Sequence, residues 1–258
     1  MTVRPKKEFG QHWLVDENIL GVIGRLAELS PEDVVLEIGP GLGVLTAYLA
    51  DRVGLVHALE LDRSLEPHLR GRLESRANVE LAFGDALAAP FAELDPPPTK
   101  LVANLPYHVA TPIVVESLAA LPTVDRWCVM VQREAADRFF APPGTKEYGA
   151  VSVLVQLSAE RTGSHAVART CFRPPPNVDS TLVAFRRKRP WGEDLDEVRR
   201  VVQAAFSHRR KTLLNSLELA GLDRTRAVGA LETMEISADA RAEALSPQEL
   251  ARFAGLMA

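Results

Sequence analysis

The sequence predicts an α/β fold with a largely parallel sheet, followed by a smaller part built only of helices. Through the first half of the chain, short apolar runs rich in β-branched residues alternate with segments that carry apolar residues at helical spacing. This alternation is typical of parallel strands joined by crossover helices. The predicted strands of this part are 34–38, 55–61, 79–83, 100–103 and 127–131.

Beyond the fifth strand the pattern changes twice. Segments 151–158, 165–172 and 180–186 are predicted to be strands without long helices between them, so the sheet should end in antiparallel strands. After Pro190 the remaining segments have helical spacing, at 195–205, 210–220, 224–232 and 247–256. We therefore expect two domains: residues 1–189, which contain the sheet, and residues 190–258, which are helical.

The composition is that of a globular protein. Hydrophobic residues make up 47% and charged residues 25% of the 258 positions, and no run of 18 apolar residues is present. The basic N-terminus is not followed by an apolar stretch, so we expect no signal peptide and a cytoplasmic location. Cys128 and Cys171 fit reduced thiols, and no cysteine–histidine spacing resembles a metal site. We expect no metal and, by default, a monomer.

The net charge of -4, taken alone, argues against binding to nucleic acid. The distribution of charge does not. Between Arg186 and Arg226 there are eleven Arg or Lys against six Asp or Glu. An acidic chain can therefore still present a basic face to a polyanion.

A glycine turn follows the first strand of the sheet. Gly39 and Gly41 lie in Gly-Pro-Gly-Leu-Gly, where glycine lets the backbone approach a ligand closely. Glu60 ends the next strand and could accept both hydroxyls of a ribose, and Asp85 follows the third strand, where it could bind an adenine amine. The G-x-G-x-G spacing favours S-adenosylmethionine over a dinucleotide, whose turn reads G-x-G-x-x-G. A ligand-free turn is the alternative.

The tetrapeptide Asn104-Leu105-Pro106-Tyr107 follows the fourth strand directly. The amine of adenine is a poor nucleophile because its lone pair is delocalised into the ring. The side-chain oxygen of Asn104 and the carbonyl of Leu105 could each accept one amine hydrogen and so free that lone pair. Pro106 fixes the turn, and Tyr107 could stack on the base.

With these motifs the chain resembles the ribosomal RNA adenine dimethyltransferases, and among them the bacterial small-subunit members. The resemblance extends over nearly the whole sequence. It rests on these segments, in order: 9–14, 37–43, 60–62, 84–86, 104–107, 172–180, 206–217 and 245–247. It implies a Rossmann-like domain dependent on S-adenosylmethionine, which dimethylates two adjacent adenines near the 3′ end of small-subunit (16S) rRNA on the 30S subunit and takes part in ribosome biogenesis.

The resemblance also implies roles for individual residues. The catalytic set would be Asn104, Leu105, Pro106, Tyr107 and Phe172, with Phe172 facing Tyr107 across the target adenine. The cofactor would be bound by His12, Leu14, Gly39, Gly41, Glu60, Asp85, Ala86 and Asn104. RNA phosphate would be bound by Lys6, Lys7, Arg209, Arg210 and Lys211. From the residues alone, a solvated helix face is the favoured interpretation of 209–211.

The chain departs from the family pattern at three positions. His12 stands where Asn is usual, Trp13 where Phe is usual, and Asn177 where Lys is common. Histidine can still donate and accept hydrogen bonds, so we expect binding to survive.

Three other functions stay open at this point. A large-subunit RNA methyltransferase of the macrolide-resistance type would share the cofactor turn, although it usually has Ile where this chain has Leu105. A mainly non-catalytic ribosome-assembly factor would use the basic helical part. A dinucleotide-dependent oxidoreductase would need a hydride-transfer acid, for which we find no candidate.

Overall fold

A computed structural model describes residues 5–6 and 10–257, without the side chain of Glu193. It contains a seven-stranded sheet in the order β4-β3-β2-β5-β6-β9-β7 and a two-stranded sheet of β1 and β8. The strands are β1 Trp13–Leu14, β2 Val34–Ile38, β3 Leu55–Glu60, β4 Val79–Phe83, β5 Lys100–Asn104, β6 Arg126–Gln132, β7 Ala159–Val167, β8 Phe172–Arg173 and β9 Ser180–Arg187. The helices are α1 Glu17–Ala27, α2 Val44–Ala50, α3 Glu66–Leu73, α4 Ala110–Ala120, α5 Arg133–Phe139, α6 Ala150–Ser158, α7 Glu193–Phe206, α8 Leu213–Leu219, α9 Arg224–Thr233 and α10 Pro247–Met257.

The five strands from β2 to β6 run parallel to one another. The central residues of β2, β3, β5 and β6 are buried, as expected for strands that are covered on both faces, whereas the residues of the edge strand β4 are half-buried or exposed. The chain proceeds from β2 outward through β3 and β4, and then returns to place β5 on the other side of β2. This reversal puts a topological switch point between β2 and β5, and open α/β sheets bind their ligands outside the carboxyl ends of the strands at such a point.

Antiparallel strands finish the sheet, which confirms the expected α/β class. β9 pairs with β6 in antiparallel register from Arg126↔Arg186 to Gln132↔Ser180. The short strands β1 and β8 also pair in antiparallel fashion, with Trp13 opposite Arg173 and Leu14 opposite Phe172. This second pairing fastens the segment before α1 to the segment that leads into β9.

The chain forms two compact units. One consists of residues 1–136 and 160–187 and contains the parallel sheet. The other consists of residues 137–159 and 188–258 and is helical, with a core formed by α6 to α10. We predicted a single division after residue 189, which would place segment 137–159 in the sheet domain and not in the helical unit.

The predicted strand at 151–158 is wrong, because this segment forms helix α6. The serine hydroxyl of Ser152 accepts a hydrogen bond from the Gly149 N–H and donates to the Arg138 carbonyl, which stabilises the first turn. Most of the helix is buried, so its apolar run is nearly continuous. A continuous apolar run has no periodicity that separates a buried helix from a buried strand.

None of the helices within the described ranges is long and apolar enough to cross a membrane.

Candidate functional site

A cleft of about 220 Å³ opens at the carboxyl ends of β2, β3 and β5, beside the switch point of the sheet. All residues predicted to contact the cofactor line it: His12, Leu14, Gly39, Gly41, Glu60, Asp85, Ala86 and Asn104. The rest of the tetrapeptide lines it as well, namely Leu105, Pro106 and Tyr107. The cleft therefore brings together motifs that are separated by more than 90 residues of sequence.

The glycine turn and Glu60 form one hydrogen-bonded unit. Gly41 adopts a φ of 58°, in the left-handed region, and its N–H donates to Glu60 Oε2 at 2.9 Å. The N–H of Asp62 donates to Glu60 Oε1, also at 2.9 Å. Burial raises the pKa of Glu60, an effect that these two N–H groups partly offset. A carboxylate has about four lone-pair sites, so each oxygen can still accept a ligand hydroxyl.

Glu37 is a second buried carboxyl group in the cleft, and the motif analysis assigned it no role. It lies on β2, is 1% exposed, and its Oε2 has no hydrogen-bond partner among the described residues. Complete burial raises the pKa of Glu37 to about 8, with a further contribution from the charge of Glu60, while the nearby Thr46 hydroxyl lowers it. The only sequence signal for this group is a charged residue inside an otherwise apolar strand.

Three apolar side chains of the cleft were also missed. Leu61 and Leu87 line it and are each 47% exposed, which is high for large apolar residues. Trp13 covers the glycine turn so closely that a Cβ on Gly41 would lie 2.9 Å from its Cδ1 atom. A leucine one or two residues after each acidic position of the nucleotide-binding pattern was the available signal.

The tetrapeptide is held by backbone contacts that fix the direction of the Asn104 amide. The N–H of Leu105 donates to the Met130 carbonyl, which continues the pairing of β5 with β6. The side-chain Nδ2 of Asn104 donates to the backbone carbonyl of His12 at 3.1 Å. Since the nitrogen of the amide is engaged, its Oδ1 is the atom left to accept a hydrogen from a ligand.

Tyr107 is restrained at two places. Its hydroxyl lies 2.6 Å from the Oγ of Ser180, which is buried at the start of β9. Burial raises the pKa of Tyr107, so the hydroxyl stays protonated. The ring of His12 stacks on the ring of Tyr107, with 5.5 Å between centroids and 23° between planes.

Comparison with known proteins identifies the family. The sequence pattern of the family described as ribosomal RNA adenine dimethylase matches residues 3–258. The chain belongs to this family. It is 47% identical to the ribosomal RNA small subunit methyltransferase A of Rubrobacter xylanophilus, over 96% of this chain and 93% of the relative, and 44% identical to that of Moorella thermoacetica, over 96% and 90%.

Solved structures agree with the family assignment. A dimethyladenosine transferase from Plasmodium falciparum superposes with a TM-score of 0.78 at 26% identity, over 94% of this chain and 96% of that chain. The 23S rRNA methyltransferase ErmE superposes with a TM-score of 0.68 at 29% identity, over 95% and 99%. The fold is therefore that of RNA methyltransferases with a Rossmann-like sheet and a helical C-terminal part.

Phe172 is the predicted catalytic residue that the structure does not bring into the cleft lining. It lies on β8, is 1% exposed, and is not part of the cleft lining. Its pairing with Leu14 puts both side chains into the core of the sheet unit. A ring with so little exposure has no free face toward the cleft in this conformation. The position of Phe172 across the target adenine from Tyr107 stays a prediction.

Lys6 is also engaged differently from its predicted role at RNA phosphate. Its Nζ lies 2.8 Å from Asp62 Oδ1, and Gln11 donates to the other carboxylate oxygen. Burial alone would raise the pKa of Asp62, but the Lys6 ammonium and the hydrogen bonds from Ser64 and Gln11 outweigh it and lower the pKa to about 2. The charge of Lys6 is therefore compensated within the chain. Lys7, the neighbouring predicted contact, lies outside the described residues.

The predicted RNA-binding segment 209–211 contains two kinds of residue. Arg209 Nη2 donates to the carbonyls of Lys146 and Tyr148, at 2.8 and 3.2 Å, and so fastens the loop before α6. Arg210 and Lys211 are exposed, and no ion pair or side-chain hydrogen bond joins them to the part of the chain that the structure describes. Of the three side chains, those of Arg210 and Lys211 are therefore the ones with a charge available to contact a polyanion.

Proposed function

We propose that this chain transfers methyl groups from S-adenosylmethionine to the exocyclic amines of two adjacent adenines near the 3′ end of small-subunit rRNA, giving dimethyladenosine. The reaction would take place on the 30S subunit during its biogenesis. The observation that carries the proposal is the orientation of Asn104: its amide nitrogen is bound to the His12 carbonyl, which leaves the amide oxygen as the acceptor in the cleft. The names of the relatives at 41–47% identity support the choice of the small subunit.

The residues of the cleft fit S-adenosylmethionine. The turn backbone at Gly41 is in a conformation that L side chains rarely adopt, and a Cβ there would meet Trp13. Glu60 offers two buried oxygens with spare lone pairs for ribose hydroxyls, while Leu61 and Leu87 present exposed apolar surface for a flat base. When bound, S-adenosylmethionine supplies a methyl group activated by a sulfonium, which a nitrogen nucleophile can take by direct displacement.

The protein would act on the target base by orienting it. Asn104 Oδ1 and the Leu105 carbonyl each accept one hydrogen of the adenine amine, which draws the nitrogen toward a pyramidal shape and makes its lone pair available. Tyr107 stacks on the base, a contact worth about 1–3 kcal/mol. In each transfer the amine nitrogen would gain the methyl carbon as the bond from that carbon to sulfur breaks. S-adenosylhomocysteine would leave, and the nitrogen would release one proton to solvent. Holding the two reactants in line supplies most of the rate enhancement in such a reaction.

The decisive experiment is methyl transfer from labelled S-adenosylmethionine to purified small subunits that lack adenine dimethylation. Large subunits are tested in parallel, because the structural likeness to ErmE favours that substrate as the second candidate. We expect label as dimethyladenosine in small-subunit RNA. Label in large-subunit RNA alone, or no label with the cofactor still bound, would overturn the proposal.

Asn104→Ala should lower the transfer rate by at least about 100-fold, since removal of a single oriented polar group of this kind typically costs that much. The affinity for S-adenosylhomocysteine should fall much less than the rate, although Asn104 is also among the residues predicted to contact the cofactor. Asn18→Ala is the matched control, because Asn18 is an exposed asparagine of the same unit that does not line the cleft. Equal rates for the two variants would remove Asn104 from the catalytic site.

A further inference from the structure

His12 connects the segment after β8 with the tetrapeptide 104–107 of the cleft. Its Nδ1 lies 2.8 Å from the carbonyl oxygen of Pro174, which follows β8. Its ring stacks on Tyr107, and its own carbonyl accepts the hydrogen bond from Asn104. His12 thus contacts both Tyr107, which is proposed to stack on the base, and Asn104, which is proposed to accept a hydrogen from the amine.

The contact with Pro174 fixes the orientation of the imidazole ring. A carbonyl oxygen can only accept a hydrogen bond, so His12 Nδ1 must carry the proton. A ring held through one nitrogen has little freedom to rotate away from Tyr107. The centroid distance of 5.5 Å lies within the range of favourable offset stacking between aromatic rings.

Tyr107 is consequently held by its hydroxyl and by one face. Ser180 holds the hydroxyl, and His12 covers one side of the ring. A flat base that enters the cleft can stack only on the side of Tyr107 that His12 leaves free. Asparagine, the usual residue at this position in the family, has no ring to cover Tyr107.

We propose that His12 is a positioning residue for the target adenine: it orients Tyr107 so that the base stacks on one face only, with its amine directed to Asn104. This inference rests on the proposed function, since it assumes that adenine enters the cleft. It assigns the side chain of His12 to the base rather than to the cofactor, which was the role implied by the resemblance.

The test uses two substitutions at the same position. His12→Asn removes the ring but keeps a group that can donate to the Pro174 carbonyl, whereas His12→Phe keeps the ring and loses the donor. We expect His12→Asn to lower kcat on undermethylated small subunits roughly 2- to 12-fold, the range given by aromatic pair energies. KM for the subunits and the Kd for S-adenosylhomocysteine should change less than twofold, and His12→Phe should recover most of the lost kcat.

A double-mutant cycle separates positioning from a general structural effect. If His12 acts through Tyr107, His12→Asn should have no further effect in a Tyr107→Ala background, because the ring that it orients is gone. His165→Asn is the control for the substitution itself, since His165 is exposed on β7 and lies outside the cleft lining. Additive losses in the cycle would overturn the inference.

Two other results would also overturn it. If His12→Asn weakened the binding of S-adenosylhomocysteine by as much as it lowered the rate, the His12 side chain would contact the cofactor and not the base. Unchanged kcat in His12→Asn would show that the stack has no role in transfer. Neither result is confused with failure of the proposed function, in which the wild-type protein itself would leave small-subunit RNA unlabelled.

Discussion

Glu60 is the residue whose contacts bear most directly on cofactor affinity. Its two oxygens hold the N–H groups of Gly41 and Asp62 and face the cleft. Glu60→Gln places an amide N–H against one of these donors and removes the charge. Hydrogen bonds to charged groups contribute about 1.5–3 kcal/mol, so we expect the Kd for S-adenosylhomocysteine to rise roughly 10- to 150-fold in calorimetry.

The matched control for Glu60 is Glu74→Gln, which changes an exposed acid of the same unit that does not line the cleft. RNA affinity should stay within twofold of wild type in both variants. An unchanged Kd for S-adenosylhomocysteine in Glu60→Gln would place the ribose elsewhere.

Glu37 should make stability depend on pH in a direction opposite to that of most carboxyl groups. Its pKa is raised by burial from an ordinary value of 4.5 to about 8. Between these two values the folded protein holds a proton that the unfolded chain has released, so the free energy of unfolding falls as pH rises. The loss is at most about 1.4 kcal/mol per pH unit and ends near the folded pKa.

Glu37→Gln keeps a neutral side chain of similar shape at every pH. Urea unfolding of both proteins at pH 5, 6, 7 and 8 should show the stability of the variant rising steadily relative to wild type. Parallel curves across this window would mean that Glu37 is ionised in the folded protein.

At the scale of elements, the turn between β2 and α2 depends on the absence of a side chain at Gly41. Two costs would follow from Gly41→Ala. A left-handed φ of 58° costs about 1–2 kcal/mol for a residue with a Cβ, and overlap with the rigid indole of Trp13 adds about 1–3 kcal/mol. We expect this variant to unfold at a lower urea concentration and to bind S-adenosylhomocysteine more weakly.

Gly221→Ala separates the two costs. Gly221 has a φ of 80°, but a Cβ there meets nothing within 4 Å, so only the backbone cost applies. If Gly41→Ala were no less stable than Gly221→Ala, the side chain of Trp13 would be able to move away from the new Cβ with no loss of stability.

The elements of the sheet were predictable from sequence partly because three of the five parallel strands end at an asparagine or directly before a glycine. The strands before Gly39, Gly84 and Asn104 were found within one residue of their observed ends. Helix α6 was not, since burial on all sides erases the periodicity that would have distinguished it from a strand.

Individual roles were harder to predict than positions. The cleft residues follow from strand order, since carboxyl ends of parallel strands meet at one edge. The burial of Phe172 and the engagement of Lys6 with Asp62 depend on pairings between distant segments, β8 with β1 and residue 6 with residue 62. No local pattern encodes such a pairing.

For the whole molecule, the question is how a chain with a net charge of -4 binds a polyanion. Phosphate contacts depend on exposed, uncompensated cations and not on net charge. The structure distinguishes these within one short segment. Arg209 is committed to the carbonyls of Lys146 and Tyr148 and lies 3.7 Å from Glu243, whereas Arg210 and Lys211 are exposed.

The three residues should therefore respond differently to alanine. Arg210→Ala and Lys211→Ala should each weaken RNA binding and reduce the slope of log affinity against log salt by about 1, with stability unchanged within about 0.5 kcal/mol. Arg209→Ala should instead lower the unfolding midpoint, because its hydrogen bonds to the loop are lost. Filter binding across a salt series, with urea unfolding of the same proteins, measures both effects.

Arg252→Ala, an exposed cation on α10, is the control and should leave the slope unchanged. If Arg209→Ala changed the salt slope as much as the other two and left the unfolding midpoint unaltered, its guanidinium would be a phosphate contact and the loop would hold without it.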